Sequence, residues 1–441
     1  MKKLLITGLS LMMVLTVAAC GSSDDSGDTK DEKRIVKFDS FSGGQGEEVF
    51  TELAEAFEKE NPDIDIQLRF EKELDSVLNK ENAKGQYSDI VYYNLGQPSA
   101  YTETQLNTGE VMDISDVFDN IEGRIDPQFA SNSITEYFGD GKKYLAPIMY
   151  TPAGFYYNTE LIGEGKKYEL PETWDDMWAL GEQAKADGIS LFTYPVKGYF
   201  DTTISGMLDQ VGGQEYFTEA LKYGEGTWDS DTGKQVLDTI AKLVSKDNGY
   251  LFADTVANAN AKDGFKINQQ AVIDGDALFM PNGSWIVGEM ESTTPEDFHW
   301  GLMALPAFEE GGERVATSFT EQAWIPKQAE NADDAKKFLE FIYSEEGAEI
   351  MLKYDCVVPV EGITEKLEGY NKEFYSIYDD ENVKASMGAF APYDAAAIPD
   401  VDFKASLFGP IDEIATGTST AEAWQTSLVD LWKTLREHPV E

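Results

Sequence analysis

IVKFDSFSGGQGEEVFTELAEAFEKENPDIDIQLRFEKELDSVLNKENAKGQYSDIVYY, residues 35–93, switches repeatedly between two hydrophobic periods. Ile35-Val36-Lys37-Phe38 predicts a short strand that runs into Ser40-Phe41-Ser42-Gly43-Gly44. Phe50, Leu53, Ala54 and Phe57 then recur at the spacing of one helical face, and Asn61-Pro62 ends that helix. Ile64, Ile66, Leu68 and Phe70 alternate with Asp65, Gln67 and Arg69, the period of a strand with one buried face. A helical stretch over 73–84 leads to Asp89-Ile90-Val91-Tyr92-Tyr93, a third strand. Strand, helix, strand, helix, strand requires parallel pairing through right-handed crossovers, hence an α/β fold. Ligands of such sheets collect beyond the carboxyl ends of the strands, here Ser40 to Gly44 and Asn94 to Gln97.

Upstream, Lys2 and Lys3 precede an apolar run from Leu4 to Ala19, broken only by Thr7, Gly8, Ser10 and Thr16. The run is short for a bilayer span and suits a signal peptide over 1–19. Val17-Ala18-Ala19-Cys20 resembles the lipobox of bacterial lipoproteins, which implies a lipid on Cys20. The alternative is an ordinary secretory peptide with Cys20 a stray thiol. Residues 20–33 are then the lipidated Cys20 and, from Gly21 to Lys33, a polar stretch that predicts a disordered tether. Cys356, the only other cysteine, then has no intramolecular partner and reads as a buried apolar-like residue. Removal of 1–19 takes two lysines and no acid, moving the net charge from −46 to −48. Such a polyanion excludes electrostatic binding of nucleic acid or anionic headgroups. The body from Arg34 to Glu441 is too long for one simple core, so two lobes are expected.

Further along, Thr173 reads as a helix cap ahead of Met177, Leu180 and Ala184. Helices are also predicted over Thr232 to Val244, over Asn331 to Ser344, and through Trp424, Leu428, Leu431, Trp432 and Leu435.

These pieces resemble, in order, the extracellular carbohydrate-binding proteins of bacterial ABC importers, the group that includes maltose-binding protein. Phe57 to Ile64 is similar to the end of that family's first helix and its entry into the second strand, and Tyr87 to Val91 to the next strand. Pro147 to Ile162, containing Gly154-Phe155-Tyr156-Tyr157-Asn158, resembles the first hinge crossing, and Pro171 to Trp174 a helix entry. Gly275 to Met280 followed by Asn282-Gly283-Ser284-Trp285 resembles a frequent motif pair, and Trp300 to Pro306 the return crossing. The resemblance implies a two-lobed α/β fold of the type II periplasmic-binding-protein kind, closing over a sugar in the cleft. It implies a first lobe of 34–149 plus 302–345 and a second of 150–301 plus 346–441. The expected molecule is a monomeric, extracellular, lipid-anchored receptor on a Gram-positive cell. It would deliver a carbohydrate, an oligosaccharide for preference, to membrane permease subunits. Neither cofactor nor metal is expected.

Sugar recognition needs flat aromatic faces and planar polar groups. The resemblance places a stacking aromatic at Trp285, beside Asn282; the residue could equally be a core tryptophan. Tyr199 and Phe200 lie in a polar-aromatic loop, where Phe200 also fits core packing. Phe41, Ser42, Gly43, Asn94 and Gln97 occupy the strand ends, where ordinary turn chemistry is the alternative. Glu321, with Gln322, could accept two hydroxyls or be a solvated carboxylate. Tyr150 flanks the hinge, with a structural role as the alternative, and Tyr393 completes the candidate set.

An enzyme is disfavoured. Histidine is limited to His299 and His438, and no Gly-x-Ser-x-Gly, His-Glu-x-x-His or phosphate-binding loop occurs. A glycan hydrolase and a receptor for another solute are the rival readings. Carboxylates are too abundant for a glycosidase pair to be picked by count.

Overall fold

The structure is a computed structural model describing residues 33–42, 46–97, 99–387, 398 and 401–438. Cys20 with the rest of residues 1–32, Gly43 and Tyr393 lie outside the described residues. Nine strands among the described residues form one sheet: β1 (Arg34–Phe41), β2 (Ile64–Glu71), β3 (Ile90–Tyr92), β4 (Ala146–Asn158), β5 (Ser190–Phe192), β6 (Ala277–Gly283), β7 (Trp300–Met303), β8 (Arg314–Trp324) and β9 (Val383–Met387). The path runs β2-β1-β3-β8-β4-β6-β5, with β7 on β4 and β9 on β8.

β1 pairs in parallel with β2 and β3, as the alternation over 35–93 predicts. The helix Glu48–Glu60 buries Val49, Phe50, Leu53, Ala54, Ala56 and Phe57 against this sheet. Phe50 meets Phe38 at 5.2 Å between ring centroids, and Phe57 meets Phe338 of the helix Ala332–Ile342 at 5.2 Å. The helix expected over 331–344 stops earlier. Ser344 instead caps the next helix, Glu345–Leu352, by accepting the Gly347 N–H at 3.0 Å. That helix belongs beside Glu48–Glu60, since Lys353 pairs with Glu52 and the Tyr354 hydroxyl donates to Glu52 at 3.0 Å.

β4 joins the two lobes. Every residue of APIMYTPAGFYYN except Thr151 is buried, the near-continuous apolar pattern of a strand covered on both faces. Two prolines would break an ordinary central strand. Pro147 is accommodated at a register shift between Pro147 and Met149, where the ladder is already interrupted. The first part of β4, Ala146 to Ala153, pairs with β8 from Ala323 back to Thr317; the rest pairs with β6 on one edge and β7 on the other. β7 and β8 therefore follow the same edge of β4 in the same direction, linked where Leu305 N–H donates to the Val315 carbonyl at 2.7 Å. The return crossing expected at 300–306 only begins there, and β8 completes it. β9 runs beside β8 in parallel as a further crossing.

In the second lobe, Thr173 forms a capping box with Asp176 at the head of the helix Trp174–Ala186, as expected. The helices Asp231–Val244, Phe403–Thr416 and Ala421–Glu437 close its far side, with Trp432 edge-on to Trp228 at 5.2 Å.

Candidate functional site

The central stretch of β4 and β8 separates the carboxyl ends of the strands in the two lobes. Seven residue steps of β4, at about 3.3 Å each, put roughly 23 Å between the level of Ala146 and that of Ala153.

On the first-lobe side, β3 and β8 are antiparallel, so β8 lays Glu321 and Gln322 beside the loop that follows β3. Gln322 N–H donates to Asn94 Oδ1 at 2.8 Å, Leu95 N–H donates to Gln322 Oε1 at 3.0 Å, and Asn94 Nδ2 reaches Glu321 Oε2 at 3.5 Å. Asn94 and Gln322 are buried, and this clasp engages their amides, so they position the loop. Glu321 keeps some exposure. Phe41 is half-buried against Tyr92 and Tyr93, at 5.2 and 5.9 Å. Ser42 is exposed and its N–H donates to the Glu71 carbonyl, while the half-buried Gln97 accepts the Ala100 N–H through its carbonyl, both at 2.9 Å.

On the second-lobe side, β5 and β6 are parallel, so both open toward the same end. A turn at Lys197–Tyr199 lies beyond β5, and Trp285 lies beyond β6. Trp285 is 38% exposed, unusual for so large an apolar side chain. Its indole lies over Gly283, where any Cβ would collide with the ring. The Tyr199 ring meets it edge to face at 6.0 Å and 74°. Burial, then the charge of Glu289, raises the pKa of the Tyr199 hydroxyl and keeps it a neutral donor. Asn282 is buried in β6 and its Oδ1 accepts the Gly283 N–H at 2.9 Å.

Two expected residues do not reach this space. Phe200 is fully buried on Phe192 and Tyr194, at 5.9 and 5.4 Å, so it is core. Tyr150 faces the opposite side of the sheet, where Phe129, Tyr375 and Tyr378 surround its ring at 4.4, 4.9 and 5.6 Å. Burial holds its pKa well above the usual range.

Sequence reasoning missed Phe319. It sits mid-strand in β8, opposite Thr151, and is 38% exposed between buried Ser318 and Thr320. The available signal was the period of two: Thr317, Phe319 and Glu321 share one face. The arrangement offers flat apolar surfaces and a carboxylate around an open space, which suits holding a polar ring rather than reacting with it. The buried Cys356 thiol is pushed up to about 12, by burial first and then Glu321, and is inert.

Two α/β lobes astride paired crossing strands, with their strand ends turned toward a common cleft, define a solute-binding protein. A sequence model of the bacterial extracellular solute-binding proteins matches residues 52–362, and the chain belongs to that family. It is similar to a multiple sugar-binding protein of Streptococcus mutans, 23% identical over 377 residues covering 82% of this chain and 84% of the relative. An arabinooligosaccharide-binding protein of Bacillus subtilis is 25% identical over 356 residues, 79% of this chain and 78% of the relative. A family 1 extracellular solute-binding protein of Bifidobacterium longum subsp. infantis shares the fold with a TM-score of 0.69 at 20% identity, over 91% of this chain and all of that one. Among the described residues no helix is long and apolar enough to cross a membrane.

Proposed function

We propose that this protein is a carbohydrate receptor that captures a sugar between its lobes and presents it, closed, to the permease of an ABC importer. The observation that carries the proposal is Trp285, held exposed over Gly283 at the carboxyl end of β6 and flanked by Tyr199. An indole face packs on the C–H side of a pyranose, while Tyr199 and Glu321 are placed for hydroxyls. The names of the Streptococcus and Bacillus relatives support the same substrate class. Binding favours the closed form by differential affinity, and closure needs only bending across β4, β8 and β9. The ligand leaves unchanged, in contrast to a hydrolase.

The lobes divide as 34–149 plus 302–345 and 150–301 plus 346–441, with one adjustment. The packing of Glu345–Leu352 and Tyr354 on the first helix carries residues 345 to about 357 into the first lobe, where Val357 accepts the Tyr150 N–H. Cys20, at the end of the apolar leader, carries a lipid that holds the monomeric receptor on the outer face of a Gram-positive membrane.

A thermal-shift panel of mono- and oligosaccharides tests the assignment, since a ligand bound only by the folded chain must raise its melting point. No shift across a broad panel would sink it. Mass spectrometry of acylated Cys20 in membrane fractions tests the anchor.

A further inference from the structure

Among the described residues, Phe319 is the one aromatic side chain left exposed on a crossing strand, at 38%. Phe319 belongs to the face of β8 that carries Thr317 and Glu321. The opposite face is closed: Tyr150, paired with Thr320, packs on Phe129, Tyr375 and Tyr378. The helix Phe200–Leu221 covers the Phe319 face at Thr317, through Gly206. Two residues on, Phe319 is left 38% exposed. The same helix begins next to Tyr199, six residues and about 9 Å before Gly206, and Tyr199 touches Trp285. Trp285, Tyr199 and Phe319 therefore border one space.

Register sets their separation. Gly283 of β6 and Thr317 of β8 both pair with Ala153 of β4. Neighbouring strands lie about 4.8 Å apart, so β6 and β8 stand about 10 Å apart across β4. The Trp285 indole folds back over Gly283, at the level of Ala153, while Phe319 lies two residues further along β8, at the level of Thr151. One sugar ring cannot cover both aromatic surfaces; two linked rings can.

We propose that Phe319 is a second aromatic contact, on the cleft floor, and that the ligand is a neutral oligosaccharide with at least two rings, one on Trp285 and one on Phe319. The inference rests on the carbohydrate reading above and adds the size of the ligand. It also explains why a phenylalanine is exposed at a hinge: a ring resting there contacts the strand that bends.

The test is calorimetric titration of the whole chain with mono-, di- and trisaccharides of glucose, arabinose, xylose and N-acetylglucosamine, comparing wild type with Phe319→Ala, Phe319→Tyr and Trp285→Ala. Unliganded melting curves confirm that each variant folds. For the series that binds, both alanine variants should weaken disaccharide binding by about tenfold or more, and Phe319→Tyr should restore it. The monosaccharide should lose affinity in only one of the two. Disaccharide affinity changed by less than about twofold in Phe319→Ala while Trp285→Ala abolishes it would overturn the floor contact and leave the receptor assignment standing. Equal losses for mono- and disaccharide in both variants would overturn the two-ring ligand. If no series binds wild type, the carbohydrate assignment falls and this inference with it.

Discussion

Gly206 seats the helix Phe200–Leu221 on β8, and replacing it by alanine should separate the two. A Cβ at this position would stand 2.5 Å from Thr317 Cγ2 and 2.9 Å from Leu305 Cδ1. Carbon atoms in contact prefer about 3.5–4.0 Å, so helix and strand must part by roughly 1 Å. Leu305 can swing its terminal methyl aside. Thr317 cannot, because it is β-branched and its hydroxyl donates to the Ala153 carbonyl at 2.8 Å. Overpacking of this kind costs about 1–3 kcal/mol, while alanine in place of glycine within a helix contributes about 0.5–1 kcal/mol. The expected net loss for Gly206→Ala is about 1–2 kcal/mol. Thr317→Ser keeps the hydroxyl and removes Cγ2, at a cost of about 1 kcal/mol by itself. In the double variant the new methyl fills the vacated volume, so the two costs should fail to add by about 1–2 kcal/mol. Urea denaturation of wild type, both single variants and the double variant, followed by tryptophan fluorescence, measures this cycle. Additive costs, or a Gly206→Ala protein as stable as wild type, would refute the close approach. Because Tyr199 adjoins the start of this helix, sugar affinity should fall in Gly206→Ala and recover in the double variant.

Gly283→Ala should displace the indole of Trp285, since the added Cβ meets the ring; we expect a shifted tryptophan emission and about tenfold weaker sugar binding with the fold retained. The Tyr375 and Tyr378 hydroxyls donate to the Tyr150 and Thr317 carbonyls at 2.7 and 2.8 Å, bracing β4 and β8 from the side away from the cleft. Tyr375→Phe and Tyr378→Phe should each cost about 1 kcal/mol in urea denaturation, and small-angle scattering should show an altered sugar-induced compaction although neither ring faces the ligand. Asp334 is held below the usual carboxylate range by hydrogen bonds from Arg34 and then Lys337. A depressed folded pKa stabilises fully above the unfolded carboxylate's range, and that stability is lost as pH falls through and below it. Urea midpoints should therefore decline from about pH 5 downward, and Asp334→Asn should flatten the decline; an unchanged slope would count against the pairing.

Local signals read well in this chain because their causes are local. The alternation over 64–70 and the helical spacing from Phe50 to Phe57 specify β2, the first helix and the parallel pairing. Thr173 and Asp176, three residues apart, specify a helix start. What depends on distant cover does not read. Phe200 and Trp285 are both aromatic residues beside a turn at a strand end, yet one packs on Phe192 and the other lies open over Gly283. Tyr150 and Phe319 are large rings on neighbouring crossing strands, but Phe129, Tyr375 and Tyr378 cover only Tyr150. RVATSFTEQAW has mixed polarity and no unbroken apolar run, so nothing in it announces a strand shared by both lobes. Ser344 was hidden in another way: apolar spacing runs through it, and only the bond to Gly347 shows that it starts a helix.

The pairing of β3 with β8 has a consequence for how the chain becomes a protein. Val91 meets Trp324, so the first lobe lacks an inner strand until residues from late in the sequence arrive. A chain emerging amino end first must keep the edge of β3 unpaired while all of β4 to β7 passes by. Contacts so remote in sequence form slowly, and an open apolar edge invites pairing with other chains in the meantime. Neither lobe is a continuous piece of polypeptide, and a fragment ending before β8 should aggregate rather than fold as half a receptor. The feature that lets two lobes bend as one molecule also commits them to being completed together.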